Sequence, residues 1–286
     1  MGQINVGVTG WGDHRILYEG ISSPSKKLEA YAGHFPVVEL DSSFYAVPPE
    51  KNITKWINET PASFQFVVKA YQGMTGHQRG ENPFKTQEEM FKAFNDAIRP
   101  FKETGKLAMV LCQFPPWFDC QRKYVDYIKF VREQLREFDA ALEFRHQSWY
   151  SEDYKERTLE YMKEDDWIHS ICDEPQAGER SIPFVPVTTH DEKAFVRFHG
   201  RNTAGWNKPV KGEGWREVRY LYDYSEDELK ELEEKVKSIS QEVNKTYVVF
   251  NNNSGGHAAG NAKTFISDLG ITYEGLAPRQ MNLFDE

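Results

Sequence analysis

A charged pair at the end of a buried β-strand is the feature of this sequence that most resembles a chemical site. Glu143 and Arg145 lie two residues apart at the end of an apolar run that begins at Ala140. Side chains alternate between the two faces of a strand, so this carboxylate and this guanidinium should point the same way, opposite to Leu142 and Phe144. We therefore expect the pair to lie in a polar, partly enclosed place at one end of a sheet.

Alternation of polar and apolar residues recurs in eight short runs, and stretches with helical spacing separate these runs. This order predicts an α/β fold with parallel strands, for which a single (β/α)8 TIM barrel is the simplest architecture. An open, doubly wound sheet is the alternative, but it normally carries a Gly-x-Gly-x-x-Gly turn that this chain lacks. We assign residues 1–277 to the barrel and residues 278–286 to a C-terminal tail. The predicted strands cover 4–9, 37–41, 64–69, 107–113, the run that begins at 140, 167–173, 194–199 and 246–251.

Ten polar residues at the predicted strand ends share one phase, whereas the opposite phase is mostly aliphatic or aromatic. The active site of a TIM barrel lies at the carboxyl ends of its strands, so these side chains should meet at one mouth. The ten residues are Glu39, Asp41, Lys69, Gln113, Glu143, Arg145, Asp173, Arg197, His199 and Asn251.

The cations of this set favour an anionic ligand. Arg145 and Arg197 stay charged and suit bidentate binding of a phosphate or carboxylate, and Lys69 could add a third cation. The predicted ligand-binding residues at the strand ends are Arg145, Arg197, Asp41, Gln113, Asp173 and Asn251.

The same set contains groups for acid–base catalysis. Glu143 or Glu39 could act as the general base, and His199 or Lys69 could act as the general acid. Buried charges are normally paired, so a saturated network of ion pairs inside the barrel is the competing interpretation. The residues alone leave both interpretations open.

A second candidate anion site follows the eighth predicted strand, where an Asn- and Gly-rich loop leads into the last helix. Asn252, Gly255 and Gly256 could help backbone amides to approach a phosphate at the N-terminus of that helix. A simple turn built from asparagine and glycine is the alternative. Trp206 and Trp215, in the long loop after the seventh strand, could form a stacking lid or could only hold that loop on the barrel.

The sequence predicts no cofactor, and it supports a divalent metal only weakly. No His-x-His or His-Glu-x-x-His spacing occurs, and the nearby arginines oppose the binding of a cation. The residues that could supply oxygen or nitrogen ligands are Glu39, Asp41, Glu143, Asp173 and His199.

Composition excludes several classes of function. The formal net charge of the 286 residues is -9, which argues against a surface that coats nucleic acid or anionic membrane. Three cysteines without a Cys-x-x-Cys spacing predict neither a disulfide framework nor a zinc knuckle, and they fit a reducing compartment. With no signal pattern and no apolar run of membrane-spanning length, we expect a cytoplasmic protein without a membrane partner.

Six short motifs, spread in order over nearly the whole chain, resemble those of the YecE-like family, a group of bacterial and archaeal proteins known as the domain of unknown function DUF72. This resemblance implies a TIM barrel, and it brings no established reaction. The motifs are Gly10-Trp11, Glu-Leu-Asp-Ser-Ser-Phe-Tyr from Glu39, Gln-Phe-Pro-Pro from Gln113, Glu-Phe-Arg-His with Ser-Trp from Glu143, Val-Arg-Phe-His-Gly from Val196, and Phe-Asn-Asn from Phe250.

The tail ends in a peptide that is similar to the Gln-Leu-x-Leu-Phe motif with which bacterial polymerases and repair proteins dock on the DNA sliding clamp. Gln280 could form a hydrogen bond at the rim of the clamp pocket, and Leu283 and Phe284 could be buried against the partner. A tail that packs on its own barrel, or that is disordered, is the alternative.

Two classes of function follow from these features. The first is an enzyme, a hydrolase or an isomerase, that acts on an anionic ligand such as a sugar phosphate or a nucleic-acid end. The second is a non-catalytic adaptor that docks on the sliding clamp through its tail. Both could apply to one protein, since an acidic protein with little affinity of its own for DNA would benefit from a tether.

Overall fold

The protein is a closed barrel of eight parallel strands in chain order, β1 to β8, so the predicted (β/α)8 TIM barrel is confirmed. The computed structural model describes residues 2–21, 23–78, 80–207 and 218–279. The strands are Gln3–Thr9, Val37–Leu40, Gln65–Lys69, Leu107–Gln113, Ala140–Glu143, Trp167–Asp173, Lys193–Phe198 and Lys245–Phe250.

Helices on the outside of the barrel begin where local sequence caps them. Thr86 Oγ1 accepts a hydrogen bond from the Glu89 amide before the third helix, and Ser225 and Glu228 form a capping box before the seventh. Within the described residues, none of the helices combines the length and the apolar character that crossing a membrane requires. The α-helices that the structure describes, α1 to α8, are Lys27–Tyr31, Glu50–Asn58, Gln87–Glu103, Arg122–Gln134, Lys155–Glu164, Thr203–Asn207, Glu226–Ile239 and His257–Asp268.

The barrel interior has an apolar lower layer and a charged upper layer. Alternation along each strand places one set of side chains inside and the other set against the helices. The apolar interior cluster consists of Val37, Val67, Ala108, Met109, Leu111, Ala141, Ile168, Phe195, Tyr247 and Val249. Two residues further along several of these strands, the inward positions are charged or polar, so the sheet itself positions the candidate site.

The prediction for the sixth strand chose the wrong phase. All seven residues of β6 are buried, so the alternation that marks the inward face elsewhere is not visible there. Ser170 is the residue that points inward, because its Oγ donates a hydrogen bond to Glu143. Asp173 has the opposite phase and pairs with Arg201 at 2.8 Å and with the Tyr224 hydroxyl at 2.7 Å.

The described chain ends at the face of the barrel opposite the mouth. The Ala277 amide donates a hydrogen bond to the Ala32 carbonyl, and Arg279 Nη1 lies 3.5 Å from His34 Nδ1. Ala32 and His34 belong to the connection between α1 and the start of β2, at the amino ends of the strands. Gln280, Leu283 and Phe284, the residues of the predicted docking peptide, lie outside the described residues.

Close packing of β1 against β2 gives a test of the barrel geometry. A Cβ atom added at Gly7 would lie 2.0 Å from the carbonyl oxygen of Val37. Gly7→Ala should therefore lower the free energy of unfolding by about 1–3 kcal/mol in urea denaturation. Gly12→Ala is the matched control, because a Cβ there meets no atom within 4 Å. Equal stability of the two variants would contradict the register of β1 and β2.

Candidate active site

Arg197 lies at the centre of the upper layer and bridges two carboxylates across the barrel. Its Nε and Nη2 donate hydrogen bonds to the two oxygens of Glu39 at 3.0 and 2.7 Å, and its Nη1 donates to Glu143 Oε2 at 2.6 Å. All three side chains are at most 1% exposed. This network joins β7 to β2 and β5, and the bidentate contact fixes the plane of the guanidinium.

Glu143 is saturated with donors on both oxygens. Besides Arg197, it accepts hydrogen bonds from Gln113 Nε2 at 2.5 Å, Arg145 Nη1 at 3.1 Å and Ser170 Oγ at 3.0 Å. Burial alone would raise its pKa, but the neighbouring cations and hydrogen bonds outweigh burial and hold the pKa well below the ordinary value. A carboxylate held in this way stays ionised and is a poor proton acceptor.

His199 is buried among cations and stays neutral. Its Nε2 lies 3.0 Å from Arg145 Nη1 and 3.4 Å from Arg197 Nη1, and the Asn251 amide contacts its Nδ1 at 2.9 Å. Burial, and then the two guanidinium groups, lower its pKa well below the ordinary value. The prediction that brought Arg145, Arg197, His199 and Asn251 together agrees with this geometry, but a neutral imidazole here is unsuited to donate a proton.

Lys69 is a cation of the mouth that has no carboxylate partner among the described residues. Among the described residues, no carboxylate oxygen lies within 4.0 Å of its Nζ, which contacts the Phe44 ring at 4.9 Å from the centroid. Burial lowers the pKa of Lys69, and the field of Glu39 opposes this effect. Asp41, at the end of β2, has a pKa that burial raises and that Lys69 partly lowers.

Tyr220 and Trp206 lie over the mouth on the segment that follows β7. The guanidinium groups of Arg145 and Arg219 lie 4.8 and 3.9 Å from the Trp206 ring centroid. Tyr220 lies 6.1 Å from His199, ring to ring. Trp206 therefore stacks on cations of the site, while Trp215 lies outside the described residues.

The pKa of Tyr220 reports the sign of the field at the mouth. Burial alone would raise the pKa of this phenol, yet it is lowered below 10.0 because four cations together outweigh burial. The surrounding cations therefore favour a negative charge at this place. The four cations are Arg219, Arg145, Lys69 and Arg197.

Glu174 belongs to the site, although the sequence analysis did not select it. Its Oε1 accepts a hydrogen bond from the Ile182 amide at 2.7 Å. Its buried Oε2 has no hydrogen-bond donor in the described part of the chain and lies 3.1 Å from Arg145 Nη1. Burial raises its pKa to about 7, against the field of Arg145. The adjacent acidic residues 173 and 174 carried the signal, and the correct phase of β6 would have selected Glu174.

The loop after β8 has a structural role in its described contacts. Asn252 is fully buried, and its Nδ2 donates to the Tyr222 carbonyl at 2.9 Å and to Asn261 Oδ1 at 2.7 Å. Gly255 and Gly256 have φ values of +76 and +82°, which favour glycine, and Gly256 precedes α8. These contacts support the interpretation as a turn, and the predicted phosphate contact remains a prediction.

One buried group of the described residues has the composition of a metal site. Possible ligand atoms of Glu143, Cys172 and His199 all lie within 4.8 Å of one another. This set shares Glu143 and His199 with the predicted metal ligands. It contains Cys172, and it does not contain the other predicted carboxylates. Arg145 and Arg197 both contact Glu143 and His199, so a metal ion would have to lie beside two fixed positive charges. The field of the site therefore opposes a cation.

Replacement of Glu174 by glutamine should remove a pH-dependent loss of stability. Its pKa is about 7 in the folded protein and 4.5 in the absence of the fold, so the native state holds the extra proton between these values. As the pH rises from about 5 to about 8, wild type should lose up to about 3 kcal/mol relative to Glu174→Gln. Urea unfolding of both proteins across this pH range measures the difference.

The groups that act on Glu174 through their charge are Arg145, Glu143 and Arg219, and they remain in the variant. Glu164→Gln serves as a control, since this carboxylate is exposed at the end of α5, near the amino end of β6 and away from the mouth. Parallel stability profiles of wild type and Glu174→Gln between these pH values would show that Glu174 does not titrate there.

Comparison with known proteins gives matches over almost the full chain. The family model described as protein of unknown function DUF72 matches residues 5–283. The UPF0759 protein YunF of Bacillus subtilis strain 168 is 54% identical over 281 residues, which cover 98% of this chain and 100% of that protein. The UPF0759 protein YecE of Escherichia coli K12 is 22% identical and covers 85% of this chain and 93% of its own.

Solved structures agree with these relatives. The crystal structure of a DUF72 family protein from Enterococcus faecalis V583 has a TM-score of 0.91 and 36% identity, covering 98% of this chain and 100% of that one. A DUF72 family protein from Thermotoga maritima MSB8 has a TM-score of 0.79 and 34% identity, covering 94% and 100%. The resemblance of the sequence motifs is thus confirmed, and the chain belongs to the DUF72 family, also called UPF0759.

Proposed function

We propose that the mouth of the barrel binds an anionic ligand, bearing a phosphate or a carboxylate, beside Lys69. The observation that carries this proposal is the charge of Lys69 at the mouth, which no ion pair within the described residues neutralises. Arg197 is neutralised by its contacts with Glu39 and Glu143, whereas Lys69 has no carboxylate within 4.0 Å in the described part of the chain. An anion at this place would supply the missing negative charge.

The ion-pair network holds the donors in place before a ligand arrives. Arg145 and Arg197 donate hydrogen bonds to carboxylates on strands of the barrel, and these bonds fix both guanidinium groups. Binding of an anion would therefore require little rearrangement of these side chains. The same saturation makes Glu143 and Glu39 poor general bases, since both oxygens of each carboxylate accept hydrogen bonds. They are better described as residues that position the arginines.

Glu174 is the carboxyl group best suited to exchange a proton with a ligand. Its Oε2 makes no hydrogen bond within the described residues and lies 3.1 Å from Arg145, one of the cations whose field lowers the pKa of Tyr220. A pKa of about 7 lets the group act as acid or base near neutral pH. Together with Lys69, it supports acid–base chemistry of the kind that hydrolases and isomerases use.

Lys69→Met should weaken anion binding and leave the fold intact. Loss of a charged hydrogen-bond donor should raise the Kd for inorganic phosphate at least about tenfold. Isothermal titration calorimetry measures the affinity, and the phosphate-induced rise in Tm gives an independent reading. The matched control is Lys245→Met, an exposed lysine at the opposite end of the barrel.

Lys69 is preferred to Arg197 for this test because Arg197→Ala would leave Glu39 buried without its guanidinium partner and would remove one donor from Glu143. That change should cost about 3–5 kcal/mol of stability, and a folding defect would hide any effect on the ligand. No binding of phosphate, sulfate or a small carboxylate by wild type would contradict the proposed function. Equal phosphate affinity of Lys69→Met and wild type would contradict the position of the site.

A second proposed function concerns the tail. We propose that 280–284, whose sequence is similar to clamp-binding peptides, docks on the DNA sliding clamp. The exit of the chain beside Ala32 and His34 supports this proposal, since a partner held there would leave the mouth unobstructed. Deletion of 280–286 should abolish clamp binding in a pull-down with purified clamp without changing the Tm. Equal clamp binding by the full and the shortened chain would contradict it.

A further inference from the structure

Four aromatic side chains form a continuous row on the rim of the barrel mouth. Adjacent ring centroids lie 5.3 Å apart for Tyr45 and Phe44, 5.1 Å for Phe44 and His77, and 5.9 Å for His77 and Trp117. Each contact is edge-to-face, with interplanar angles of 65–88°. We call these four residues the aromatic row.

The row is assembled from three loops at the carboxyl ends of neighbouring strands. Tyr45 and Phe44 follow β2, His77 follows β3, and Trp117 follows β4. Phe44 and Tyr45 are neighbours in the chain, and barrel closure brings them next to His77 and Trp117. The row therefore lies on the same face of the molecule as the charged mouth.

Both ends of the row are unusually exposed for aromatic side chains. Tyr45 is 51% and Trp117 is 50% exposed, and they are two of the five large exposed hydrophobic residues of the described chain. The two inner rings are partly buried, whereas about half of the surface of each end ring is in contact with water. Exposed aromatic surface beside a concave site is typical of a ligand-binding surface.

The row passes beside the cation of the proposed anion site. Lys69 Nζ lies 4.9 Å from the centroid of the Phe44 ring, so an anion at Lys69 would lie beside this inner ring of the row. A ligand that carries both a negative charge and a flat ring could use the two features at once. A simple inorganic anion would use only the first.

We propose that the aromatic row stacks the base of a nucleoside phosphate whose phosphate group lies at Lys69. This inference rests on the proposed anion-binding function and specifies its ligand class. Base–aromatic stacking contributes about 1–3 kcal/mol per base and tolerates different bases, because each base has a flat face. The formal net charge of the protein is -9, so most of its surface should repel a long nucleic-acid strand. One or a few terminal nucleotides, bound at the mouth, therefore fit this surface better than an extended strand.

Calorimetric titration with a graded series of ligands tests the ligand class. The series is inorganic phosphate, ribose 5-phosphate, a nucleoside 5′-monophosphate, and a short 5′-phosphorylated oligothymidine with its abasic counterpart. Wild type should bind the nucleoside monophosphate about tenfold more tightly than ribose 5-phosphate, because only the former has a base to stack. Comparison of the monophosphate with the oligothymidine distinguishes a free nucleotide from a nucleic-acid end.

Trp117→Ala and Tyr45→Ala should each reduce the gain that the base provides, while the affinity for inorganic phosphate stays the same. Both side chains are half-exposed, so the variants should fold, which circular dichroism can verify. Tyr154→Ala is the matched control, since this tyrosine is 43% exposed and lies outside the row. It should bind every ligand of the series as wild type does.

The outcomes separate this inference from the proposed function. Equal affinity for ribose 5-phosphate and the nucleoside monophosphate, with phosphate bound, would overturn the stacking role and favour a sugar phosphate. If Trp117→Ala and Tyr45→Ala still bind the nucleoside monophosphate more tightly than ribose 5-phosphate by the wild-type factor, the base does not stack on the aromatic row. If wild type binds neither phosphate nor nucleotide, both proposals fail, whereas binding of the unphosphorylated nucleoside alone would preserve the row and remove the anion site.

Discussion

The guanidinium of Arg197, held between Glu39 and Glu143, is the interaction on which the upper half of the barrel depends. Taking three charges out of water is expensive, and their attraction offsets this cost only when each donor and acceptor has a partner. The structure meets this condition with five hydrogen bonds to the two carboxylates from Arg197, Arg145 and Gln113. Strands β2, β5 and β7 must therefore keep one register for the network to exist.

This saturation divides the charged residues of the mouth into two groups. Glu143 and His199 are held in single protonation states by their neighbours, so they contribute geometry and a fixed field. Within the residues that the structure describes, Lys69 lacks a carboxylate partner and Glu174 Oε2 lacks a hydrogen-bond donor. Because a rigid network surrounds Lys69 and Glu174, the fixed charges around them determine their protonation states more than their own side-chain motion does.

Sequence alternation predicted the fold and most of the inward-facing residues because charged side chains mark the inner face of β2, β3, β5 and β7. It failed for β6, where both faces are buried, and it therefore selected Asp173 and missed Glu174. Partner choice could not be predicted at all. Which carboxylates Arg197 contacts depends on how eight strands close, and no local pattern encodes the distance between residues 39, 143 and 197.

The aromatic row is a second feature that could not be predicted from the sequence. Tyr45, His77 and Trp117 stand far apart in the chain and follow different strands, so neither spacing nor hydropathy connects them. Their proximity is a product of barrel closure and of loop lengths. Sites of this kind become visible only when the carboxyl ends of adjacent strands are considered as one surface.

The departure of the chain beside Ala32 and His34 has a practical consequence. A fluorophore or an affinity handle joined directly after Arg279 would start from the face of the barrel opposite the mouth. The loops at the carboxyl ends of the strands would then point away from the point of attachment.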